Sequence, residues 1–331
     1  MKQRGKRVTA DDVAAAAGVS RVMVSRALTP GASVSAKKRA HVLSVADALG
    51  YRPNLMARGL TGRRIGLIAV VVGDVSAPYE SWLLKHLLKA LTHHGYQPLL
   101  LPAGESDTAD TIHHALAYQV EGAIVAAGSV SRETAERCRR SGAPLVLIGR
   151  VLEGADVDTV CCDNVQGMRL IVDHLIQQGY RRIAWLGGRA DAFSDQERER
   201  GVTMALARHG LEIAVRRRGD FSIASGAREG QALLALAARP EAIICANDAM
   251  AMGVIEAASA LGIAVPKALA VTGFDDVPTA AWARTPLTTV RNPVEETARR
   301  ALALLKMRLD APAQPVQSAR IAVTLVRRDS T

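Results

Sequence analysis

From Ile65 onward the sequence alternates short, almost wholly apolar runs with longer amphipathic stretches. No other feature constrains the fold as tightly. The apolar runs are Ile65–Val72, Pro98–Leu101, Ala123–Ala126, Leu145–Ile148, Ile183–Leu186, Ala242–Cys245 and Leu269–Phe274. Helical patterns fill intervals between them, over Tyr79–His94, Val165–Gln178, Gln196–His209, Ala249–Leu261 and Pro293–Leu309. A strand with no polar positions must be covered on both faces, so the alternation predicts βα units and parallel sheets. The units are too many for one small sheet, which predicts two similar lobes. Ligands of such sheets bind beyond the carboxyl ends of the strands, and this places a binding cleft between the lobes.

Bulk properties exclude other classes. With 331 residues, 49% hydrophobic and 22% charged, the chain reads as globular rather than disordered. The apolar run Ile65–Val72 is far too short to span a bilayer. Met1–Arg7 is basic, but no apolar segment follows it, so no secretory signal is expected and the location is read as cytoplasmic. Cys138, Cys161, Cys162 and Cys245 form no CxxC pair and read as small buried hydrophobes in a reducing compartment. No metal and no cofactor are expected.

The net charge of +10 is confined to one end. Residues 1–64 hold 13 Lys or Arg and 3 Asp or Glu, a balance of +10; the rest holds 29 of each sign. A basic head on a neutral body predicts a surface for a phosphate backbone, the alternative being a solvated tail.

The head is punctuated as helices. Thr9 with Asp12 approximates a capping box before an Ala-rich helix over 10–17 that stops at Gly18. Ser20 caps a second helix, roughly 21–28, and the two with their tight Gly-containing turn read as a helix-turn-helix. Pro30-Gly31 breaks the chain, and Ser35 caps a third helix ending at Gly50. In it Ala40, Leu43, Ala46 and Leu49, with Val42, are expected to form the packing stripe. Residues 51–64 form a connector. Its piece 54–60 suits about two helical turns, with Gly59 costing roughly 1 kcal/mol relative to Ala. So short a segment needs a partner to fold.

These motifs carry a resemblance. The run Val8-Thr-Ala-Asp-Asp-Val-Ala-Ala-Ala-Ala-Gly-Val-Ser-Arg-Val-Met-Val-Ser-Arg-Ala-Leu28 is followed by Val34-Ser35, Leu49-Gly-Tyr-Arg-Pro-Asn54 and Ile65-Gly-Leu-Ile68. Then come Ala77-Pro-Tyr79, Asp163-Asn164, Gly179-Tyr-Arg-Arg-Ile183, Arg198 three before Gly201, Asn247-Asp248, Gly273-Phe-Asp-Asp276 and Pro286-Leu-Thr-Thr289. In this order and spacing they resemble the lactose-repressor (LacI/GalR) family over nearly the whole chain.

The resemblance implies an N-terminal all-α helix-turn-helix head plus an α/β two-lobed, periplasmic-binding-protein-like body with parallel sheets. The implied domains are 1–52 for DNA binding, 53–64 for a hinge helix and linker, and 65–331 for effector binding and dimerisation. The lobes would be about 65–160 plus 290–326, and 161–289. The implied function is a sequence-specific, non-enzymatic transcriptional regulator, a repressor acting as a homodimer on a pseudo-palindromic double-stranded operator. Arg21, Val22 and Arg26 would face base edges: Arg can bond guanine bidentately, and Val can touch a thymine methyl. Thr9, Ser20 and Ser25 would lie near phosphates, and Val24 would pack inward. Leu60 would be an apolar wedge in the minor groove, or pack on the body, with Ala57 on the groove floor and Asn54 on backbone. Two departures stand out: Thr29 replaces a frequent Asn, which alters a backbone contact, and Leu60 to Ile65 is five residues where the family has about eight.

The implied effector site comprises Tyr79, Glu80, Gly149, Arg150, Arg198, Phe221, Asn247 and Asp275. Arg198, Asn247 and Asp275 suit vicinal hydroxyls, and Phe221 offers a flat face to a sugar ring. Arg198 and Asp275 could instead form a structural ion pair. Arg150 beside Arg198 would suit the carboxylate of a sugar acid, and the segment Arg21–Arg26 with Pro30 resembles gluconate-type repressors. Competing readings are a solute-binding protein, which the basic head opposes, and an architectural DNA-binding protein without ligand control. No GxGxxG, GxxxxGK[ST], HExxH or GxSxG supports an enzyme.

Overall fold

The computed structural model describes residues 8–29, 31–52, 65–103, 108–126, 130–152, 154, 156–282 and 285–331. The chain divides into two compact units, Met1–Ile65 and Gly66–Thr331.

The first unit holds α1 (Ala10–Ala17), α2 (Arg21–Ala27) and α3 (Ala36–Ala48). Thr9 caps α1 in a complete capping box: its hydroxyl accepts from the Asp12 amide, and the Asp12 carboxylate accepts from the Thr9 amide at 2.8 Å. Gly18 ends α1 at φ 62°, a left-handed position that lets the chain turn straight into α2, which Ser20 caps. The core comprises Val13, Ala14, Ala17, Val24, Ala27, Val42 and Ala46. The expected stripe on α3 is therefore corrected. Ala46 and Val42 are buried, but Ala40, Leu43 and Leu49 are exposed, and the inward face is Val42, Val45 and Ala46. A strict i, i+3 series drifts around a helix of 3.6 residues per turn, off the face that α1 and α2 cover at Val42, Val45 and Ala46.

The second unit begins with β1 (Leu67–Val72), α4 (Pro78–His93), β2 (Gln97–Pro102), α5 (Thr108–Ala117), β3 (Gly122–Val125), α6 (Arg132–Arg140), β4 (Leu145–Ile148) and β5 (Asp158–Cys162). The chain then runs through α7 (Asn164–Gln177), β6 (Ile183–Gly187), α8 (Phe193–Arg208), β7 (Val215–Arg218), α9 (Ile223–Leu234), β8 (Ala242–Cys245), α10 (Asp248–Ala260) and β9 (Ala270–Thr272). It closes with β10 (Thr289–Arg291), α11 (Val294–Asp310), β11 (Ser318–Ile321) and β12 (Thr324–Val326).

Two parallel sheets result, ordered β11-β5-β4-β3-β1-β2 and β7-β6-β8-β9; β10 and β12 form a separate antiparallel pair. The continuous apolarity of β1 has the expected cause. Ile68, Val70 and Val72 pack with Leu83, Leu87 and Leu91 of α4 and with α11, while Ala69 and Val71 pack with Ile112 of α5 and Cys138 of α6. A single larger core surrounds the second sheet, with Trp185 and Phe274 fully buried. Arg308 of α11 ties that helix to β5 through Asp158, with nitrogen–oxygen distances of 2.9 and 3.0 Å. Val290 of β10 and Leu325 of β12 pack into the core around the second sheet, while α11 and Ile321 of β11 pack into that of the first, so both lobes are built from separated segments.

All four cysteines are buried and free. Among the described residues, no helix is long and apolar enough to cross a membrane, and no cluster of His, Cys, Asp and Glu could hold a metal.

Candidate functional site

In the head, α2 sorts its residues by face. Val24 and Ala27 are buried, whereas Arg21, Val22, Ser25 and Arg26 are exposed, Val22 at 63%. A valine so placed on a seven-residue helix between two arginines lies outside the core of this unit. The Arg21 guanidinium lies 3.7 Å from Asp11, an exposed pair too loose to hold it. Thr9 and Ser20 use their oxygens as helix caps; the Ser20 hydroxyl hydrogen stays able to donate outward while its oxygen accepts from Met23 N. Thr29, half-buried, donates its hydroxyl to Ser25 O at 2.8 Å and so extends the end of α2.

One supporting residue was not read from the sequence. Arg39 of α3 donates to Ala27 O, Thr29 O and Ala32 O at 2.5, 3.0 and 2.7 Å. Its guanidinium gathers carbonyls at the end of α2 and in the loop that follows, and it fixes that helix end against α3. Asn54, Ala57 and Leu60 of the expected hinge lie outside the described residues.

In the body, all eight expected effector residues line one cavity of about 1080 Å³. Most stand just past the carboxyl ends of strands. Gly149 and Arg150 follow β4, Asn247 follows β8, and Asp275 follows β9, while Tyr79 and Glu80 occupy the first turn of α4 after β1. Gly149 sits at φ 77°. Phe221 adopts φ 72°, a strained conformation for a side-chain-bearing residue. It is held there by Asn247 Nδ2 donating to Phe221 O at 3.0 Å, while the bare Gly188 admits the ring. Asn247 Oδ1 meanwhile caps α10 by accepting from Met250 N.

Arg198 is engaged on every side. Nε donates to Asn164 Oδ1 at 2.8 Å, Nη1 to Ala246 O at 2.6 Å and Nη2 to Asp275 Oδ1 at 3.3 Å; the guanidinium stacks on Phe274 at 3.8 Å. Asp275, at φ 119°, also accepts from Asn292 Nδ2. Burial pushes its carboxyl up, against the opposing pull of Arg198. The ion pair is therefore part of the architecture as well as of the cavity wall.

Glu80 is pushed up to about 7, chiefly by burial and next by Asp275. Burial also lowers Arg150. Tyr79 is driven far above its ordinary value by burial and then by Asp275. Its ring packs against the cores of both lobes.

Asn164 and Asn292 are positioning residues that sequence reasoning did not assign, although Asn164 belongs to the Asp163-Asn164 motif. Asp74, Arg189 and Asp220 also line the cavity. The signal that finds Asp74 and Arg189 is their place, two residues beyond β1 and β6.

Comparisons with known proteins agree with this geometry. The profile described as "Bacterial regulatory proteins, lacI family" matches residues 9–54, and that of a "Periplasmic binding protein-like domain" matches 172–331. The chain is 33% identical over 297 residues to the HTH-type transcriptional regulator DegA of Bacillus subtilis (strain 168), covering 88% of each chain. It is 32% identical to the HTH-type transcriptional regulator GalR of Escherichia coli (strain K12), covering 97% of this chain and 95% of that one. The crystal structure of the lac repressor dimer bound to operator and the anti-inducer ONPF superposes with a TM-score of 0.89 at 27% identity, over 98% and 99% of the two chains. A transcriptional regulator CelR–cellobiose complex gives 0.74 at 31% identity, over 98% and 100%. DegA and GalR are regulators, not enzymes, and at this identity and coverage the chain belongs to the lacI family of bacterial regulatory proteins.

Proposed function

We propose that the protein is a repressor that binds a pseudo-palindromic operator as a homodimer in the cytoplasm and is controlled by a small sugar in the body cavity. One observation carries the DNA reading: on a basic head, α2 buries Val24 and Ala27 while presenting Arg21, Val22 and Arg26 outward. Such a face suits the major groove, with Thr9, Ser20, Ser25 and Thr29 toward the backbone. The assignment follows the division 1–52, 53–64 and 65–331. Asn54, Ala57 and Leu60 are assigned to a hinge that folds on the minor groove. The lac repressor dimer on its operator supports the partner and the dimeric state by likeness.

The effector reading rests on the eight residues gathered at one cavity and on the CelR–cellobiose likeness. A sugar acid, such as a gluconate-type effector, is the second reading; it is favoured by Arg150, whose buried Nε has no partner. Arg198 no longer supports it, because Asp275 already answers its charge.

The test is selection from fragmented genomic DNA at physiological salt, repeated with sugars and sugar acids. A discrete palindrome released or tightened by one compound is expected. Binding without sequence preference and without ligand effect would leave an architectural protein instead.

A further inference from the structure

Cys161 and Cys162 are consecutive, and consecutive side chains on a strand point to opposite faces. The end of β5 nevertheless brings both sulfurs to one group. Cys162 is the last residue of that strand, and the chain turns at Asp163 straight into α7. The side-chain amide of Asn164, the first residue of α7, falls back on the pair. Its Nδ2 donates to Cys161 Sγ at 3.5 Å, and its Oδ1 accepts from the Cys162 thiol at 3.5 Å. The two thiols also share a hydrogen bond, which holds Cys161 below the usual thiol value and, followed by burial, drives Cys162 well above it. Arg198 and Arg320 add positive charge near Cys161. A sulfur with two donors and two guanidinium groups around it favours the thiolate, and a protonated thiol stands beside it. That is the arrangement of an attacking and a resolving cysteine.

Access separates this pair from the other thiols. Cys138 and Cys245 have no exposed surface, whereas Cys161 is 3% and Cys162 6% exposed. Burial pushes both of the enclosed thiols up, Cys138 to about 11. Cys162 lines the cavity of about 1080 Å³, which admits a molecule as small as hydrogen peroxide.

We propose that Cys161 and Cys162 are a peroxide-oxidisable dithiol in the cavity wall, Cys161 attacking and Cys162 resolving. The Cys161 thiolate attacks one oxygen of hydrogen peroxide and the O–O bond breaks. The released hydroxide takes up the proton that Cys161 lost and leaves as water. Cys162 then attacks the sulfenic sulfur; an S–S bond forms, and the sulfenic hydroxyl leaves with the Cys162 proton as a second water. The two sulfurs are oxidised by two electrons in all, and the peroxide is reduced by the same two. Consecutive Cα atoms are about 3.8 Å apart, closer than the roughly 4.4–6.8 Å of ordinary disulfides. The ring therefore closes only with a backbone shift at the end of β5, and a bond so strained is readily reduced. The shift withdraws the sulfurs from Asn164, whose Oδ1 accepts from Arg198 Nε at 2.8 Å, so oxidation reaches the Arg198–Asp275 pair. The site does not depend on what the cavity binds.

The experiment treats the reduced full chain with hydrogen peroxide at neutral pH, alkylates the remaining thiols under denaturing conditions and maps them by peptide mass spectrometry. A disulfide between Cys161 and Cys162 is expected, seen as the loss of two hydrogens and reversed by dithiothreitol, with Cys138 and Cys245 still alkylated. Cys162→Ser should trap a sulfenic acid at Cys161, read as a dimedone adduct. Cys161→Ser should slow the loss of the Cys162 thiol at least about tenfold. The mapping of the wild type stands whether or not the variants fold. Oxidation of Cys138 or Cys245 first, disulfides between chains alone, or survival of both vicinal thiols at a dose that consumes free cysteine overturns the proposal. So does a folded Cys162→Ser protein without an adduct at Cys161, or Cys162 oxidising as fast without Cys161 as with it.

Discussion

Arg198 and Asp275 meet at 3.3 Å with side chains only 6% and 5% exposed, joining α8 to the loop after β9. Removing one partner of so buried a pair strands the other charge, at a cost of about 3–5 kcal/mol. Asp275→Ala should lower the urea midpoint of the body by that order. Asp275→Asn should cost less, because its amide oxygen still accepts from Arg198 and Asn292. Below its unfolding transition, Asp275→Asn should keep operator affinity and lose effector response. An unchanged response in gel shifts would remove Asp275 from the site.

Arg21 and Val22 are exposed and Val24 is buried on one short helix, so substitutions there separate the proposed DNA contacts from folding. Arg21→Ala should relax discrimination at one base pair of each half-site by about 1–3 kcal/mol; equal weakening on all sequences would make it a phosphate contact. Val22→Ala should leave the thermal midpoint of the head unchanged and weaken operator binding. Val24→Ala, at a position with no exposure, should instead cost about 1–3 kcal/mol of stability.

How far the sequence was legible follows from where charges sit. Strands such as β4 and β8 are apolar because helices cover both faces, and their bounds were read to the residue. β7 was missed: Val215-Arg-Arg-Arg218 is a sheet edge whose arginines pair with Glu199, Glu229 and Asp195, so its pattern is that of a solvated surface. β5 opens with Asp158, a charge that makes sense only once Arg308, 150 residues later, is beside it. α6 was obscured by its four arginines and α9 by Gly226 and Gly230, residues that weaken a helix unless a neighbour demands them. The eight cavity residues came from motif positions. The motifs left open whether Arg198 and Asp275 pair with each other, and the structure shows that they do.

Asp248 gives a stability signature. Its carboxyl accepts from Val277 N at 2.9 Å and from the Thr289 hydroxyl at 2.5 Å, yet burial first, then Asp275, push it up to about 7. A carboxyl raised in the folded state stabilises most below its unfolded value, near 3.8, and that contribution is lost as pH rises through about 7. Asp248→Asn mimics the protonated form. The wild type's advantage over this variant should therefore shrink from pH 5 to pH 8 in urea unfolding. A constant difference would mean that Asp248 stays ionised throughout.

Gly253 of α10 and Gly226 of α9 let two backbones touch. A Cβ on Gly253 would run into Ile223 O and the Ala227 amide, and one on Gly226 would meet the Met250 backbone. These obstacles are main chain, not the movable end of a side chain, so relief requires shifting a whole helix in a close-packed core. Helix propensity argues the other way: Ala in place of a helical Gly gains up to about 1 kcal/mol. The overlap should win. Gly253→Ala should destabilise the body by about 1–3 kcal/mol net, read as a lower urea midpoint, while the head's operator contacts at low temperature stay intact. A stability equal to or above wild type would show that α9 and α10 can slide apart at little cost, and that the glycines are not what sets their distance.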